Sequence, residues 1–198
     1  PILYSVMTLY WATSKDIEQV IKYNKRDLLK GQGLTLTSAL ITLVFTKLAY
    51  FAIFLVLPIL LIPAPLTIIL LGFLIMHVIA GLTLALIFQP AHVVDGTKFF
   101  VPDENNSVEN NWAIHQVLTT SNFARNSGFF GWFVGGLNHQ IEHHLFPKIS
   151  HVHYPAISKI VKKTCADFKL QYNEYPTVLS AIRAHVLHLK SLSKPSFA

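Results

Sequence analysis

Three histidines, a glutamine, an asparagine and a glutamate lie within the seven residues from 138 to 144 of this 198-residue chain. Imidazole is a common ligand of zinc, copper, iron and nickel, so the cluster could bind a metal while leaving its identity open. His143 and His144 are neighbours, about 100° apart around a helix, and could therefore each address a different ion. The pattern predicts two metals side by side. The alternative, a solvated surface pair, is disfavoured by the flanking glycines and apolar residues.

The same run predicts a helix over residues 138–146. His139 and His143 would then stand four residues apart on one face, with chelating geometry. Gln140 would lie three residues before His143 and four before His144, close enough to converge on the same ion. Glu142 is the one carboxylate in the run and could either ligate a metal or orient an imidazole through its ring N–H.

The run from Gln140 to Pro147, QIEHHLFP, resembles the third histidine box of the membrane fatty acid desaturases. It resembles the variant in which glutamine replaces the first histidine, which is typical of front-end desaturases, including the delta-six linoleoyl-CoA type. The likeness extends upstream through the segments 89–92 and 112–122 and downstream to about Leu189, and so covers most of the chain.

The resemblance implies a histidine-ligated diiron centre that uses dioxygen and two electrons to introduce a C=C bond into an acyl chain. It implies His92, His143 and His144 as metal ligands, and it makes Gln140 a further catalytic residue whose role as ligand, partner of a ligand or water anchor is open. The residues that could orient the ligands are Gln89, Asn138, His139 and Glu142.

Two earlier histidine boxes, of the forms HxxxH and HxxHH, are expected in this family, and neither occurs between Pro1 and Gln89. We therefore expect that this chain cannot hold a complete centre by itself. Since it does not begin with Met, we expect it to be the C-terminal half of a longer protein and inactive alone. The alternative is a catalytically dead protein.

Composition predicts an all-α, multi-pass integral membrane protein. The chain is 52% hydrophobic and 13% charged, with a net charge of +6 that fits polar parts on an anionic leaflet. Nucleic-acid binding is not expected, because the basic residues do not alternate with aromatic ones in a repeating way. The lone Cys165 excludes an internal disulfide and fits a reducing, cytosolic setting.

Two apolar stretches, at about 40–62 and 66–88, predict a transmembrane hairpin within residues 36–88. Lys and Arg lie on both flanks of the hairpin and not in its turn, which predicts that both flanks are cytosolic. Three further segments are predicted: an interfacial segment at 1–35, a metal-site region at 89–150 and a cytosolic helical cap at 151–198. The metal-site region is expected to contain an amphipathic helix over 111–122. The cap is expected to contain helices at 154–168 and 177–190.

Several polar side chains lie outside the histidine box. Lys47 would sit one turn inside the membrane, and we expect it to reach the headgroups rather than to hold an acyl headgroup. His77 is predicted to be hydrogen-bonded within the helices or to line an acyl channel, and it lies about 22 Å along a helix from His92, too far to share a metal. The histidines expected to be structural or solvated are His115, His151, His153, His185 and His188.

The resemblance also implies the partners: a fatty acyl-CoA or phospholipid acyl chain, and a ferredoxin or b-type cytochrome as electron donor. It implies a bacterial cytoplasmic membrane or endoplasmic reticulum location with the site on the cytosolic side. Two alternatives remain, namely an acyl hydroxylase or epoxygenase on the same scaffold and a non-enzymatic membrane metal-binding protein. A metal carrier should place polar ligands along its spans, whereas only His77 interrupts the second span, so the enzyme is favoured.

Overall fold

The computed structural model of the protein describes residues 2–105, 107–108 and 110–194. The chain divides into two compact units, Pro1–Ala85 and Leu86–Ala198. The predicted C-terminal segment, 151–198, ends with residues 195–198, which lie outside the described residues.

The described part of the first unit is helical. Two short helices open it and lead through a π-helical segment into a polar helix, and two long apolar helices follow. The elements are α1 (Ile2–Ser5), α2 (Met7–Tyr10), a π-helical segment (Trp11–Lys15), α3 (Asp16–Lys25), a 3-10 turn (Lys30–Gln32), α4 (Leu36–Phe51), a second π-helical segment (Ala52–Val56), α5 (Leu57–Leu61) and α6 (Leu66–His92).

The two apolar helices predicted from the sequence are present. The segments Leu36–Leu61 and Leu66–His92 have 26 and 27 residues and are long and apolar enough to cross a membrane. At 1.5 Å per residue each spans about 40 Å, against a hydrocarbon core of about 30 Å. Thr35 begins the first one, because its side chain accepts a hydrogen bond from the Ser38 N–H while the Ser38 hydroxyl accepts one from the Thr35 N–H.

His77, in the middle of α6, is hydrogen-bonded inside the first unit as predicted. Its Nδ1 lies 3.0 Å from the Thr8 hydroxyl and its Nε2 lies 3.0 Å from the Tyr50 hydroxyl. The Thr8 hydroxyl also donates to the His77 carbonyl at 2.9 Å. Only 4% of His77 is exposed, so these bonds satisfy a polar ring that would otherwise be costly in an apolar helix.

The expectation that Lys47 extends to the headgroups stays a prediction, but the structure defines its partners within the first unit. Its Nζ donates to the carbonyl oxygens of Trp11 and Ala12 and to Asp16 Oδ2, each at 3.0 Å, and its side chain is 15% exposed. The π-helical segment and the start of α3 lie beside α4 and supply these acceptors. Lys47 therefore ties the interfacial segment to the first apolar helix.

The second unit starts at the last turns of α6 and continues as short helices around a small sheet. Its elements are α7 (Trp112–Leu118), β1 (Ser121–Phe123), α8 (Gly128–Phe133), α9 (Gln140–Leu145), a 3-10 turn (His151–His153), α10 (Tyr154–Asp167), β2 (Asn173–Tyr175) and α11 (Val178–Leu192). β1 and β2 pair in parallel, with Ser121 opposite Asn173 and Phe123 opposite Tyr175.

The sheet corrects two predictions. The fold is mostly helical but not all-α, and the helix expected over 111–122 ends at Leu118. The β-branched Thr119 and Thr120 follow that end, and the three residues of β1 are all buried. Ladder bonds to β2 and burial on both faces therefore determine the conformation here, rather than the helical spacing.

Two apolar clusters form the core of the second unit. One contains Val117, Ile141, Val161 and Cys165, and so joins α7, α9 and α10. The other contains Ala91, Phe123, Ala124 and Ala181, and so joins the end of α6 to β1 and α11. Each cluster includes a residue adjacent to a predicted ligand: Ile141 lies in the histidine box and Ala91 precedes His92.

α11 also corrects a prediction about its histidines, which we expected on a solvated face. His185 is buried, with its Nδ1 2.7 Å from the Val93 carbonyl, and His188 stacks on the Phe99 ring with a centroid distance of 6.2 Å. The apolar periodicity of α11 places these rings on its inner face because Ala181 and His185 lie one turn apart.

Candidate metal centre

Two glycines precede the histidine box and turn the chain into α9. Gly135 and Gly136 have φ values of 60° and 75°, in the left-handed region where residues with a Cβ are strained. A Cβ on Gly136 would also lie 2.6 Å from the Cβ of His151, so no larger residue fits. The turn sets the start of α9 at Gln140, two residues later than predicted.

Three imidazoles converge from two helices. His92 comes from the last turn of α6, while His143 and His144 come from α9. The ring centroids of His92 and His144 are 5.0 Å apart, and those of His143 and His144 are 5.7 Å apart. Both pairs are edge to face and all three residues are half-buried. The structure thus brings together the three predicted ligands, while their binding of a metal stays a prediction.

Neighbouring side chains fix the orientation of the two rings on α9. His144 Nδ1 lies 3.0 Å from Gln116 Oε1 on α7, and His143 Nδ1 lies 3.3 Å from the Tyr154 hydroxyl at the start of α10. Because an amide oxygen only accepts, His144 donates from Nδ1, which leaves its Nε2 lone pair free for a metal. The Tyr154 hydroxyl also contacts Nδ1 of His143, but a hydroxyl can donate as well as accept, so this contact does not assign the tautomer of that ring.

His144 is in the form that binds metals. Burial, and then the neighbouring imidazoles of His92 and His143, lower the pKa of His144 from its ordinary value to about 4. The ring is therefore neutral at pH 7, and a metal ion need not displace a proton from it.

Glu142 holds α9 in place rather than orienting an imidazole. Its side chain is fully buried. Asn122 Nδ2 donates to Glu142 Oε2 at 2.7 Å and the Tyr172 hydroxyl donates to Oε1 at 3.0 Å. Asn122 Oδ1 in turn accepts from the Ile141 N–H at 2.9 Å. We call Asn122, Glu142 and Tyr172 the carboxylate clamp. It fastens the first turn of α9 to β1 and to the residue before β2.

A charged network supports Tyr172. Arg125 and Lys162 lie over the Tyr172 ring, 5.6 and 5.9 Å from its centroid, and both form ion pairs with Glu174. Burial, and then the charge of Glu142, raise the pKa of the Tyr172 hydroxyl, so that it stays protonated and able to donate. The carboxylate clamp therefore keeps its two donors at neutral pH.

His139 and His143 do not adopt the chelating geometry that the helical spacing predicted. His139 precedes α9 with non-helical φ and ψ of −104° and 58°, so the two residues do not share a helical face. Its Nδ1 is 3.8 Å from Glu142 Oε2, beyond hydrogen-bonding distance. On three successive residues, buried polar atoms have no hydrogen-bond partner in the described part of the chain, namely Asn138 Oδ1, His139 Nδ1 and Gln140 Nε2.

The described contacts of the other predicted residues are with groups other than the three imidazoles. Gln89 is half-buried on α6, where its carbonyl accepts from the Val93 N–H at 2.8 Å. The His115 ring packs on Phe100, with centroids 5.1 Å apart, and the exposed His151 and His153 form the 3-10 turn. Sequence reasoning missed Tyr154 and Tyr172. The sequence did indicate a helix that starts at Tyr154, but the residues around Tyr154 gave no sign of its hydrogen bond to His143.

The three imidazoles are ligands of a type that iron accepts, but they are too few to complete an iron site. Imidazole nitrogen is a suitable ligand for iron, and the hydrogen bond of His144 Nδ1 to Gln116 leaves the Nε2 of His144 available. Among the described residues, however, no group of three or more His, Cys, Asp or Glu is arranged so as to hold a metal ion.

Comparison with known proteins gives a consistent result. The family described as fatty acid desaturase matches residues 3–176. The chain is 43% identical over 129 residues to an sn-1 linoleoyl-lipid 6-desaturase of Synechocystis, covering 65% of this chain and 36% of that protein. It is 51% identical over 121 residues to an acyl-lipid (8-3)-desaturase of Physcomitrium patens, covering 61% and 25%. No solved structure matches.

A third relative is matched over nearly the whole chain. It is the Delta(5) fatty acid desaturase A of Dictyostelium discoideum, 33% identical over 193 residues, which cover 96% of this chain and 41% of the relative. The chain therefore spans between a quarter and two fifths of the length of these curated relatives.

Proposed function

The chain belongs to the fatty acid desaturase family, and we propose that it forms the C-terminal part of a diiron acyl desaturase acting on acyl-CoA or acyl-lipid. The single observation that carries the proposal is the convergence of His92 with His143 and His144, whose rings are oriented from behind by Gln116 and Tyr154. The relatives named as acyl-lipid desaturases support a lipid-bound acyl chain as the substrate.

Iron, when bound, would supply the oxidising chemistry that no side chain possesses: one dioxygen, two electrons and two protons take two hydrogens from adjacent carbons, leaving a C=C bond and two waters. His92, His143 and His144 would be this chain's ligands. The hydrogen bond that His144 donates to Gln116 and the contact between His143 and Tyr154 would hold the two α9 rings in the orientation needed to bind metal. The carboxylate clamp would hold the helix that carries both rings.

Gln140 is proposed to anchor water or substrate rather than to ligate. It is 1% exposed, and its Nε2 has no partner among the described residues. A buried N–H donor without a partner is costly, so a bound molecule that accepts from it would be stabilised there. This role fits the position of Gln140 at the first turn of α9.

The acyl chain is proposed to occupy the apolar cavity beside α9. That cavity has a volume of about 310 Å³ and is bounded by α7, α10 and Leu145, the residue after His144. A larger cavity of about 480 Å³ lies in the first unit around His77, and no residue of the histidine box lines it. An apolar cavity next to a candidate ligand can bring an acyl carbon to the metals while excluding water.

We further propose a cytosolic location for the centre in a bacterial cytoplasmic membrane or the endoplasmic reticulum. Support comes from the two apolar helices and from the basic residues on both of their flanks. The electron donor would be a ferredoxin or a b-type cytochrome. A hydroxylase or epoxygenase would use the same residues, and product analysis separates the three activities.

The test uses the intact protein, produced in a host that is fed linoleate, with lipid products analysed by mass spectrometry and iron measured per polypeptide. We expect a new double bond, its loss in His144→Ala, and a decrease of roughly 10- to 100-fold in Gln116→Ala. His153→Ala, which changes an exposed histidine of the 3-10 turn, is the matched control and should retain both iron and product. Full iron and full product in His144→Ala would refute the proposal.

A further inference from the structure

Another cavity of the second unit lies beside the turn that precedes α9, and we call it the Asn138 cavity. Its volume is about 200 Å³, and Arg125, Gly131, Trp132, Asn138 and His139 are among the residues that line it. It shares no lining residue with the proposed acyl cavity, and none of the three candidate metal ligands lines it. Sites for drug-sized ligands have volumes of about 300–1,000 Å³, so this cavity suits one small group of a larger molecule.

Asn138 brings an unpaired hydrogen-bond acceptor to the wall of the cavity. Its side chain is fully buried, and its Nδ2 donates to the Ala124 carbonyl at 3.2 Å, which leaves Oδ1 as the available amide atom. In the described part of the chain, Oδ1 has no hydrogen-bond partner. Oδ1 is also the nearest atom to the Cβ that Gly131 lacks, at 3.5 Å. It therefore faces space that a side chain at position 131 would otherwise fill.

His139 brings a donor to the same wall. It is 3% exposed, and its Nδ1 also has no hydrogen-bond partner in the described part of the chain. The carboxylate of Glu142 is 3.8 Å from Nδ1 and favours the tautomer with the proton on that nitrogen. An acceptor on Asn138 and a donor on His139 together match a hydroxyl group, which both donates and accepts. Since buried polar groups without partners are costly, a ligand hydroxyl that pairs with them would be stabilised.

The charges around the cavity disfavour an anion. Arg125 is the one residue with a permanent charge among the described residues that line it. Its guanidinium is already engaged, because it forms an ion pair with Glu174 and donates to Ser158 Oγ at 3.0 Å. The acceptor oxygen of Asn138 and the nearby carboxylate of Glu142 would both repel a phosphate or a carboxylate. An uncharged ligand that carries hydroxyl groups is therefore favoured.

An aromatic surface on α8 adjoins the cavity. Phe129, Trp132 and Phe133 are 78%, 75% and 62% exposed, and the Phe129 ring lies 6.2 Å from that of Trp132 and 6.5 Å from that of Phe133. Exposed apolar patches mark contacts with proteins or membranes, and Trp and Phe are typical of segments that lie in the membrane interface. Trp132 belongs both to this surface and to the cavity wall, so a group in the cavity would lie beside a surface suited to the headgroup layer.

We propose that the Asn138 cavity binds the uncharged, hydroxyl-bearing headgroup of a membrane lipid, with the aromatic surface of α8 in the headgroup layer. The ligand class is a lipid with a sugar or glycerol headgroup. Asn138 and His139 directly precede Gln140, so this headgroup would bind next to the first turn of the helix that carries His143 and His144. The proposal rests on the proposed function in one respect, namely that this lipid carries the acyl chain to be desaturated.

The experiment measures thermal stability against lipid composition. The intact protein is placed in phosphatidylcholine nanodiscs that contain increasing fractions of monogalactosyldiacylglycerol, the probe for an uncharged sugar headgroup. We expect the Tm to rise by about 2 °C or more, because a ligand that binds only the folded protein stabilises it. Phosphatidylglycerol, which has hydroxyl groups but a negative charge, and free galactose should each give little or no rise.

Two variants test the cavity itself. Gly131→Ala places a methyl group 3.5 Å from Asn138 Oδ1, an ordinary contact distance, and should abolish the rise in Tm without unfolding α8. His139→Phe removes a nitrogen that has no partner in the ligand-free protein, so it should keep the Tm in phosphatidylcholine alone and lose the rise with galactolipid. The matched control is Gly72→Ala in α6, where an added Cβ meets nothing within 4 Å, and it should retain the full rise.

Four outcomes would overturn the proposal. The first is a Tm that does not depend on galactolipid. The second is an equal rise in all four proteins, which would mean a general effect of the bilayer. The third is an equal or larger rise with phosphatidylglycerol, which would assign an anionic ligand. The fourth is an equal rise with free galactose, which would assign a soluble sugar.

Neither iron nor product is measured in this experiment, so its result is separate from that of the desaturation test. A rise in Tm that depends on galactolipid and on Gly131 and His139, in a protein that forms no double bond, would refute the proposed function and leave the headgroup site in place.

Discussion

At the scale of single residues, the candidate metal centre depends on side chains other than its three imidazoles. Glu142 is fully buried, and its two carboxylate oxygens accept hydrogen bonds from Asn122 and Tyr172. The amide oxygen of Asn122 also accepts from the Ile141 N–H in the backbone of α9. A buried carboxylate with satisfied hydrogen bonds gives α9 one defined position, whereas an unsatisfied one would destabilise the fold.

Replacement of Asn122 tests this clamp. Asn122→Ala removes one donor to Glu142 and the acceptor of the Ile141 N–H, so it leaves two buried polar groups unpaired. We expect a loss of about 2 kcal/mol in unfolding free energy, seen as a decrease in Tm of about 4–8 °C in detergent, and weaker iron binding. Asn126→Ala, at an exposed position nearby, is the control and should unfold as the unmodified protein does. Equal Tm values for both variants would contradict the clamp.

Residue type, spacing and the QIEHHLFP box pointed to His143 and His144, and the family resemblance pointed to His92. The structure brings these three rings together, while their binding of a metal stays a prediction. The sequence was insufficient for the residues that orient them. Gln116, Tyr154 and Tyr172 reach α9 across separations of 28, 11 and 30 residues along the chain. No local periodicity encodes such contacts, which depend on how the helices pack. The resemblance to fatty acid desaturases is confirmed by the family match.

At the scale of elements, long apolar runs were predictable and short elements were not. The two apolar helices appear as expected, because a single apolar segment in lipid can satisfy all its backbone hydrogen bonds only as a helix. The helix expected over 111–122 is wrong after Leu118, since burial and strand pairing override propensity in so short a segment. The start of α9 was predicted two residues early because the glycine pair, with its positive φ values, fixes the turn.

Lys47 gives a test of how elements are tied together. Lys47→Met keeps a long side chain but removes three hydrogen bonds that join α4 to the π-helical segment and α3. We expect unfolding free energy to decrease by about 1–3 kcal/mol, since the Trp11 and Ala12 carbonyls lose a charged donor, with the decrease measured as a lower Tm in detergent. Lys22→Met on the exposed side of α3 should leave the Tm unchanged, and Lys47→Arg should restore part of the loss. A Tm unaffected by Lys47→Met would show that the tie is dispensable.

At the scale of the whole molecule, composition and charge predict where the chain sits. No formally charged residue occurs between Lys47 and Asp95, a stretch that contains most of both apolar helices and the turn between them. The described lysines and arginines lie before or after this stretch, which by the positive-inside rule predicts that both flanks are cytosolic. The proposed centre, which follows the second apolar helix, would then face the cytosol.

This sidedness can be measured with single cysteines. In a Cys165→Ser background, Ala64→Cys marks the turn between the apolar helices, while Asn24→Cys and Asn126→Cys mark exposed positions before and after them. A membrane-impermeant maleimide applied to intact cells should label only Ala64→Cys if the membrane is bacterial and cytoplasmic, because the uncharged turn is the part that crosses. Asn24→Cys and Asn126→Cys should react only after permeabilisation. Labelling of all three from the same side would mean that the two helices do not cross the membrane as a hairpin. The basic residues on their flanks would then no longer support a cytosolic location for the proposed centre.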